Sequence, residues 1–150
     1  MSGKLLLTTL ALGVLSAQDW PAYHGGFGNT KYSPLRQINT TNVARLKLAW
    51  KYDTGDKFDG SEMQCNPLIV NGTLYATTPK LHLVALDAAT GKLKWTFDPD
   101  KDKPQTGMRR NRGLNYWASG KDRRLYFSSR EYLYSINADL NVIKGVEFRA

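Results

Sequence analysis

Cysteine is almost absent from this sequence: Cys65 is the only one among 150 residues, which excludes a disulfide scaffold. Histidine is also scarce, and neither a CxxC motif nor an HxxxH pair occurs, which excludes a zinc site built from cysteines or paired histidines. Apolar residues make up 41% and aromatic residues 11% of the chain, with 13 glycines and 6 prolines. That composition does not fit a coiled coil, collagen or a disordered chain, and it favours strands joined by many turns.

Acidic residues are outnumbered, since 21 Lys and Arg face 13 Asp and Glu, for a formal net charge of +8. Two groups of basic residues are dense, Arg109 to Arg112 and Lys121 to Arg124. Nucleic-acid binders gather their charge within a recognisable module, and none is present here, so no nucleic-acid partner is expected. We expect one or two arginines to bind an anionic small ligand. The others, Arg109 and Arg110 among them, are expected to be solvated.

A long hydrophobic run is missing as well. The apolar run from Leu5 to Leu15 has eleven residues, whereas a helix needs roughly 20 to span a bilayer. Lys4 precedes the run and small residues follow it, which is the layout of a secretory signal peptide. We therefore predict a signal peptide over residues 1–17, no transmembrane helix, and a mature chain over 18–150. A buried N-terminal helix is the alternative, although the run has no polar face at helical spacing.

The pattern from residue 67 onward is that of short strands. Leu68 to Val70 is an apolar run that ends at Asn71-Gly72, a strong signal for a two-residue hairpin turn. Leu74 to Thr78 returns as a second strand, and residues 81–86 and 92–97 alternate as a third and a fourth.

This four-stranded unit occurs twice, about 50 residues apart. Leu125 to Ser128 matches Leu74 to Thr77, and Leu133 to Ala138 matches Leu83 to Ala88. Repeats of ~40–50 residues that hold four short strands are typical of β-propeller blades. Because a lone blade exposes both sheet faces and needs neighbours to bury them, we expect an all-β propeller of which this chain, as part of a longer protein, holds about the first two blades.

Residues 32–50 precede the blades and differ from them. Asn39-Thr40-Thr41 offers helix N-caps, so we predict a short helical turn from which Val43 and Leu46 face a core. Leu48 to Tyr52 then alternates as a strand.

A specific motif lies in the first repeat and consists of Ala85, Asp87, Thr90, Gly91 and Trp95. Asp87 can accept hydrogen bonds from the amides of its own turn, and Gly91 supplies the positive φ that closes it. The small Ala85 leaves space against the sheet, while Trp95 offers a flat face to the neighbouring blade and an indole N–H for a carbonyl. An ordinary β-hairpin is the alternative. The motif is degenerate in the second repeat, where its counterparts are Ser135, Asn137, Asn141 and Gly145.

The motif resembles the tryptophan-docking motif of the quinoprotein dehydrogenases, the propeller enzymes that use pyrroloquinoline quinone (PQQ). Three further stretches resemble the same family. The opening from Asp19 to Trp50 is similar to the start of these enzymes, Leu74 to Lys80 resembles the glucose-dehydrogenase-like and polyol branches, and Asn111 to Trp117 resembles the segment that lies over the quinone. The resemblance covers Asp19 to Ile143 and implies a propeller with eight blades.

Cofactor contacts are implied on two short segments. Arg112 matches the arginine that lies against PQQ in this family. PQQ is a tricarboxylate, and a guanidinium can pair with a carboxylate or with the quinone oxygens. A surface arginine in a basic run is the alternative. Gly113 has no side chain and would let the backbone approach the cofactor closely. Gln64 stands where many relatives carry a glutamate, three residues before Pro67. Glu62 lies two residues earlier and on the same face of a strand, so either side chain could serve.

Other residues of this region are expected to be structural. Tyr116 and Trp117 are expected to pack within the blade, and His24 and His82 to have structural roles. Cys65 would point to the opposite face of its strand, as a small buried hydrophobe. A single cysteine cannot form the disulfide between adjacent cysteines that some relatives carry over the cofactor, which argues against the methanol-dehydrogenase branch.

The implied function is that of an exported dehydrogenase. In the family, Ca²⁺ would polarise the quinone and an aspartate would help remove the substrate's hydroxyl proton, but the matching residues lie in later blades, so no catalytic or metal-ligating residue is assigned here. We expect the N-terminal part of a periplasmic enzyme, soluble or membrane-associated, that oxidises an alcohol, polyol or sugar and passes electrons to a quinone or cytochrome c. The fragment alone is expected to be inactive.

A non-enzymatic propeller scaffold for protein–protein interaction is the alternative function. Such scaffolds typically carry a lipid-anchoring cysteine after the signal, which this chain lacks, and they have no reason to hold the segment from Asn111 to Trp117.

We predict that export removes the signal near Ala17, so that the mature chain starts close to Asp19. N-terminal sequencing of the exported protein measures the first residue directly. A protein exported with Met1 still in place would contradict the prediction.

Overall fold

Two four-stranded antiparallel sheets follow one another in the computed structural model, which describes residues 18–26, 28–101, 110–130, 132–139 and 148–149. The first sheet contains, in order, β1 (Leu68–Val70), β2 (Thr73–Thr77), β3 (Leu83–Asp87) and β4 (Leu93–Phe97). The second contains, in order, β5 (Asn115–Ser119), β6 (Asp122–Ser129), β7 (Tyr132–Asn137) and β8 (Phe148–Arg149). The predicted all-β repeat of four strands is confirmed. The predicted signal peptide, residues 1–17, lies outside the described residues.

Local sequence explains the first hairpin. Asn71 and Gly72 have φ values of 49° and 67°, the positive values that both central residues of a type I′ turn require. The turn sets Val70 opposite Thr73 and fixes the register of the two strands. The second strand accordingly begins at Thr73, one residue before the predicted start.

Strand β3 is buried on both faces, which corrects the prediction that residues 81–86 alternate between buried and exposed. Leu83, Val84, Ala85 and Leu86 are all buried. Leu83 and Ala85 pack towards the second sheet, whereas Val84 and Leu86 pack with Ala76 beneath the segment that contains Trp50 and Tyr52. A strand covered from both sides reads as a continuous apolar run.

The two sheets share one apolar cluster, here called the inter-sheet cluster. Its buried members are Leu68, Val70, Tyr75, Leu83 and Ala85 from the first sheet, and Leu114, Leu125, Phe127, Ile136 and Ala138 from the second. Aromatic rings extend it, because Phe97 lies 6.2 Å from Phe127 and 5.7 Å from Tyr134 between ring centroids. Each sheet therefore buries one face only because the other sheet is present.

Polar contacts reinforce this packing at the edge of the cluster. The Tyr75 hydroxyl donates to the carbonyl of Ala138 at 3.3 Å, and the Tyr134 hydroxyl donates to the carbonyl of Pro99 at 3.2 Å. The buried Asp100 carboxylate forms an ion pair with Arg130 at 3.0 Å. These groups come from opposite sheets, so their pairing holds the sheets in one relative position.

The start of the described chain covers the free edge of β1. Trp20 and Ile69 exchange two backbone hydrogen bonds, of 2.6 and 3.1 Å, and the Asp19 carboxylate accepts from the Asn71 N–H at 2.8 Å. A short 3-10 helix follows at Tyr23–Gly25. Nowhere in the described ranges does the chain form a helix of the length and apolarity needed to cross a membrane.

Two predictions for the segment before the sheets are wrong. A 3-10 helix does form at Val43–Arg45, but Val43 and Leu46 are exposed and do not face a core. Leu48 to Tyr52 has no regular secondary structure, and Leu48 is 78% exposed. Trp50 and Tyr52 are partly buried against the first sheet, but a strand also needs a neighbour for its backbone, and the described residues supply none.

The turn between β3 and β4 is built by the motif residues Asp87, Thr90 and Gly91. One Asp87 oxygen accepts from the amides of Ala89 and Thr90, at 3.2 and 2.9 Å, and from the Thr90 hydroxyl at 2.8 Å. The Gly91 N–H donates to the Asp87 carbonyl at 2.8 Å, with φ at 71°. The Thr90 hydroxyl and amide hold the pKa of Asp87 below its ordinary value, because both bond the charged form.

Two tryptophans serve this part of the fold. Trp95 packs against the inter-sheet cluster, 5.9 Å from Tyr75 between ring centroids. The ring that covers Gly91 is instead that of Trp50, whose indole N–H donates to the carbonyl of Ala88 at 3.2 Å. Sequence reasoning missed this role of Trp50, although the shared Leu-x-Trp pattern at residues 48–50 and 93–95 was a usable signal.

Replacing Gly91 with alanine should destabilise the protein more than the same change at Gly60. Both glycines have similar positive φ, 71° and 74°, but a Cβ at Gly91 would lie 2.5 Å from the Trp50 ring, whereas at Gly60 it would meet nothing described within 4 Å. Each change costs about 1–2 kcal/mol for the backbone, and Gly91→Ala should lose about 1–3 kcal/mol more through overpacking. Urea unfolding measures both, and equal losses would contradict the contact.

The charge of Asp87 should stabilise the fold in a pH-dependent way. Since its folded-state pKa lies below the unfolded value, its contribution is present above about pH 4 and is lost as the pH falls through the folded pKa. Asp87→Asn keeps an acceptor but removes the charge, so its melting temperature should fall below wild type at pH 7 and approach it in acid. Asp59→Asn is the exposed control. A melting difference that does not change with pH would contradict this account.

Candidate functional site

Two short segments, residues 62–66 and 110–113, lie side by side where the first strand of each sheet is about to begin. Asn66 forms a parallel bridge with Gly113, its N–H donates to the Arg112 carbonyl at 3.1 Å, and its side-chain amide donates to the same oxygen at 2.7 Å. Residues that are 46 positions apart in sequence are thereby joined. The four predicted contact residues, Glu62, Gln64, Arg112 and Gly113, all lie on these two segments.

Glu62 is bonded on both of its oxygens. Gln64 Nε2 donates to Oε2 at 2.5 Å, and Arg110 forms an ion pair with Oε1 at 2.5 Å. The hydrogen bonds from Gln64 and Arg110, together with the positive charge of Arg110, hold the pKa of Glu62 below its ordinary value. Glu62 and Gln64 share one face, as alternation along an extended segment predicts.

Arg110 differs from the expectation of a solvated arginine, because it is ion-paired with Glu62 across the two segments. The pairing joins residues 48 positions apart, which local sequence does not reveal. Arg109, the other arginine expected to be solvated, lies outside the described residues.

Arg112 has a fixed backbone and an exposed side chain. Its carbonyl receives the two hydrogen bonds from Asn66, and within the described part of the chain its guanidinium forms neither a hydrogen bond nor an ion pair. The residues on either side of Arg112 are hydrogen-bonded as well, since buried Asn111 accepts from the Gly113 N–H at 2.8 Å and donates to the Ser128 carbonyl at 2.9 Å. Among the described residues the guanidinium is therefore an uncommitted cation, on a backbone that Asn66 holds by two hydrogen bonds.

Gly113 has no steric need to be glycine on the evidence of the described residues. A Cβ there would make only ordinary contacts with Asn66, at 3.7 and 3.8 Å. Tyr116 packs against the inter-sheet cluster, as expected, whereas Trp117 is exposed, so its predicted packing within the sheet is wrong. Successive residues of β5 point to opposite faces, and only the face of Tyr116 meets the other sheet.

Cys65 points away from Glu62 and Gln64. It is partly buried between the inter-sheet cluster and the group of Ala76, Val84 and Leu86, and its sulfur accepts from the Thr77 N–H at 3.2 Å. The thiol is free and serves as a small packing group.

His82 lies at the same end of the first sheet, between two carboxylates. Its Nδ1 is 3.7 Å from Asp56 and its Nε2 is 3.5 Å from Asp98. Buried Asp56 also accepts from the Thr78 hydroxyl and the Lys80 N–H. These contacts tie three loops together and fit a structural role. His24 lies in the first 3-10 helix, where its carbonyl accepts from the Lys31 N–H at 3.0 Å.

The motif of Asp87 and Gly91 lies at the opposite end of the first sheet from the candidate site. Strand β1 begins at the end of the sheet where the site lies. Because the strands are antiparallel, the β1–β2 and β3–β4 turns lie together at the opposite end. There the Ala88 N–H donates to the Gly72 carbonyl at 3.0 Å. The motif can therefore support the fold without touching a ligand at the site. Across the described residues, no three His, Cys, Asp or Glu side chains are grouped so that they could hold a metal ion.

Comparison with known proteins gives a consistent result. Residues 20–141 match the family model described as PQQ glucose/ethanol/alcohol dehydrogenase, beta-propeller domain. The dehydrogenase subunit of an alcohol dehydrogenase (quinone) from Gluconobacter oxydans is 56% identical over 81 residues, which are 54% of this chain and 10% of that protein. The quinoprotein glucose dehydrogenase of Escherichia coli is 44% identical over 95 residues, 60% of this chain and 12% of that protein.

A solved structure agrees with these sequence relatives. The quinohemoprotein alcohol dehydrogenase ADHIIG from Pseudomonas putida HK5 superimposes with a TM-score of 0.71 at 31% identity, covering 89% of this chain and 19% of that one. This chain thus spans about a tenth to a fifth of the proteins that it matches. The family model covers most of the chain, including the first sheet, strands β5 to β7 of the second and the candidate site, and the chain therefore belongs to the β-propeller family of the PQQ-dependent glucose, ethanol and alcohol dehydrogenases.

Proposed function

We propose that this chain supplies one wall of the PQQ site in a dehydrogenase that oxidises an alcohol, polyol or sugar. The observation that carries the proposal is the guanidinium of Arg112, which has no partner among the described residues. Asn66 bonds the carbonyl of Arg112 and so holds this residue beside the segment of Gln64. The names of the similar proteins, which include alcohol and glucose dehydrogenases, support the substrate class.

The residues present fit the cofactor. PQQ is planar and anionic, with carboxylates and quinone oxygens that accept hydrogen bonds, and Arg112 offers charged donors in a planar fork. Gln64 adds a neutral polar edge that can both donate and accept. The negative charge of Glu62 is matched by Arg110 at 2.5 Å, so the two segments together keep a net positive charge towards an anion.

When bound, PQQ would accept the electrons that leave the substrate's CH–OH group. The part of this chain would be to bind and orient the cofactor: Arg112 would pair with an anionic oxygen, and Gln64 would fix a polar edge. The backbone at Gly113 would pass close to the ring. Deprotonation of the substrate and Ca²⁺ binding would belong to residues elsewhere in the longer protein, because no catalytic or metal-ligating residue is assigned on this chain.

The same proposal covers cellular placement and the division of the chain. Residues 1–17 would direct export and be removed, and 18–150 would form the first part of the propeller in the periplasm, free or associated with the membrane. Electrons would pass to a quinone or a cytochrome c. Support comes from the signal-peptide layout of the sequence and from relatives whose names include a quinone-linked dehydrogenase subunit.

Arg112→Ala in the complete protein should weaken PQQ binding about 10- to 100-fold, because a hydrogen-bonded ion of the cofactor loses its charged donor. Arg112→Lys should restore only part of the affinity, since an ammonium cannot make two parallel N–H contacts. Fluorescence titration of the apo-protein with PQQ measures both.

Arg45→Ala is the matched control, because Arg45 is an exposed arginine on the 3-10 helix. It should bind PQQ like wild type. The proposal fails if Arg112→Ala and Arg45→Ala have the same affinity, or if the wild-type protein does not bind PQQ.

A further inference from the structure

Gln64 and Glu62 constrain one another. The lowered pKa keeps the Glu62 carboxylate ionised at neutral pH, and an ionised carboxylate can only accept hydrogen bonds. The amide group that faces it at 2.5 Å must therefore be Nε2 of Gln64. Because the carboxamide is planar, Oε1 of Gln64 is then directed away from Glu62. Glu62 thus decides which way round Gln64 presents its amide.

Arg110 completes the arrangement from the neighbouring segment. Its guanidinium pairs with the other oxygen of Glu62 at 2.5 Å, so both carboxylate oxygens are occupied. The pair is about half exposed, with side-chain exposures of 48% for Arg110 and 45% for Glu62. The pair consequently contributes little to folding stability. Its main effect is that the positive charge of Arg110 compensates the negative charge of Glu62.

Charge is decisive for an anionic ligand. Without Arg110, the site would present Arg112 and an uncompensated Glu62, and the attraction of one would be offset by the repulsion of the other. Both charges lie on two adjoining segments that Asn66 joins by hydrogen bonds. Charges on adjoining segments act on a shared ligand most strongly at low salt, because the screening length shortens as the ionic strength rises.

We propose that Arg110 and Glu62 are positioning residues of the cofactor site: Glu62 orients the Gln64 amide, and Arg110 cancels the charge of Glu62 so that the anionic cofactor is attracted by Arg112. Neither residue contacts the cofactor. This inference rests on the proposed function, and it changes the expected role of Glu62 from an alternative ligand to a support for Gln64.

The test is a double-mutant cycle on the complete apo-protein, with PQQ as the titrant at low and at high salt. Arg110→Gln should weaken binding about three- to tenfold at low salt, because it leaves Glu62 unpaired near the cofactor. The loss should shrink at high salt. The double variant Glu62→Gln with Arg110→Gln should recover to within about threefold of wild type, because the unpaired charge of Glu62 is gone. The remaining loss is expected from the Gln64 amide, which a neutral residue 62 no longer orients.

Arg123→Gln is a control of matched geometry. Arg123 pairs with Asp139 at 2.5 Å with exposures of 38% and 36%, so its removal also strands one carboxylate. Both residues lie at the end of the second sheet away from the site, where β5 meets β6 and β7 ends. The same change in net charge there should leave PQQ affinity within about twofold of wild type. The five residues of β5 separate that end from the site, roughly 16 Å of strand, which is longer than the screening length. Thermal unfolding of each apo-variant verifies that it is folded.

The outcomes distinguish a failure of the inference about Arg110 and Glu62 from a failure of the proposed function. A double variant that binds as weakly as Arg110→Gln would overturn the inference, because Arg110 would then act on the cofactor directly. A loss for Arg110→Gln that is the same at both salt concentrations would overturn the part of the inference that concerns charge. A wild-type protein that does not bind PQQ would instead overturn the proposed function.

Discussion

The burial of one apolar cluster between two sheets is the interaction on which the rest of this structure depends. Each sheet is a simple four-stranded meander with one face that it cannot cover by itself. Leu83 and Leu125, both fully buried, come from different sheets and belong to the same cluster. The Asp100–Arg130 ion pair and the hydroxyl of Tyr134 then restrict how the two faces can meet.

The candidate site is a consequence of that packing. Once the sheets are docked, the segments that lead into their first strands run side by side, and Asn66 can bond the carbonyl of Arg112. The hydrogen-bonded support then carries three charged side chains, of which Arg110 and Glu62 neutralise each other. What remains is a positive, polar edge at one end of the sheets, while the Asp87 turn stabilises the other end.

The sequence predicted best what depends on neighbouring residues. Asn71-Gly72 determines its own turn, and the repeat of four strands follows from periodicity and turn residues. The strand predicted at residues 48–52 did not form, because alternation describes which side is covered and not whether a partner backbone is available. The pairing of Arg110 with Glu62 could not be predicted either, since it joins positions 48 residues apart through the docking of two sheets. Membership of the family could be inferred from the sequence alone, because the Ala85–Trp95 motif combines several residue types at fixed spacing.

The central claim is that residues 62–66 and 110–113 form one wall of the cofactor site. A crystal structure of the complete protein with PQQ bound tests it most directly. We expect the Arg112 guanidinium and the Gln64 amide to lie within hydrogen-bond distance of the cofactor, with Arg110 still paired to Glu62. A structure in which PQQ is bound and Arg112 points into solvent, with no contact between either segment and the cofactor, would contradict it.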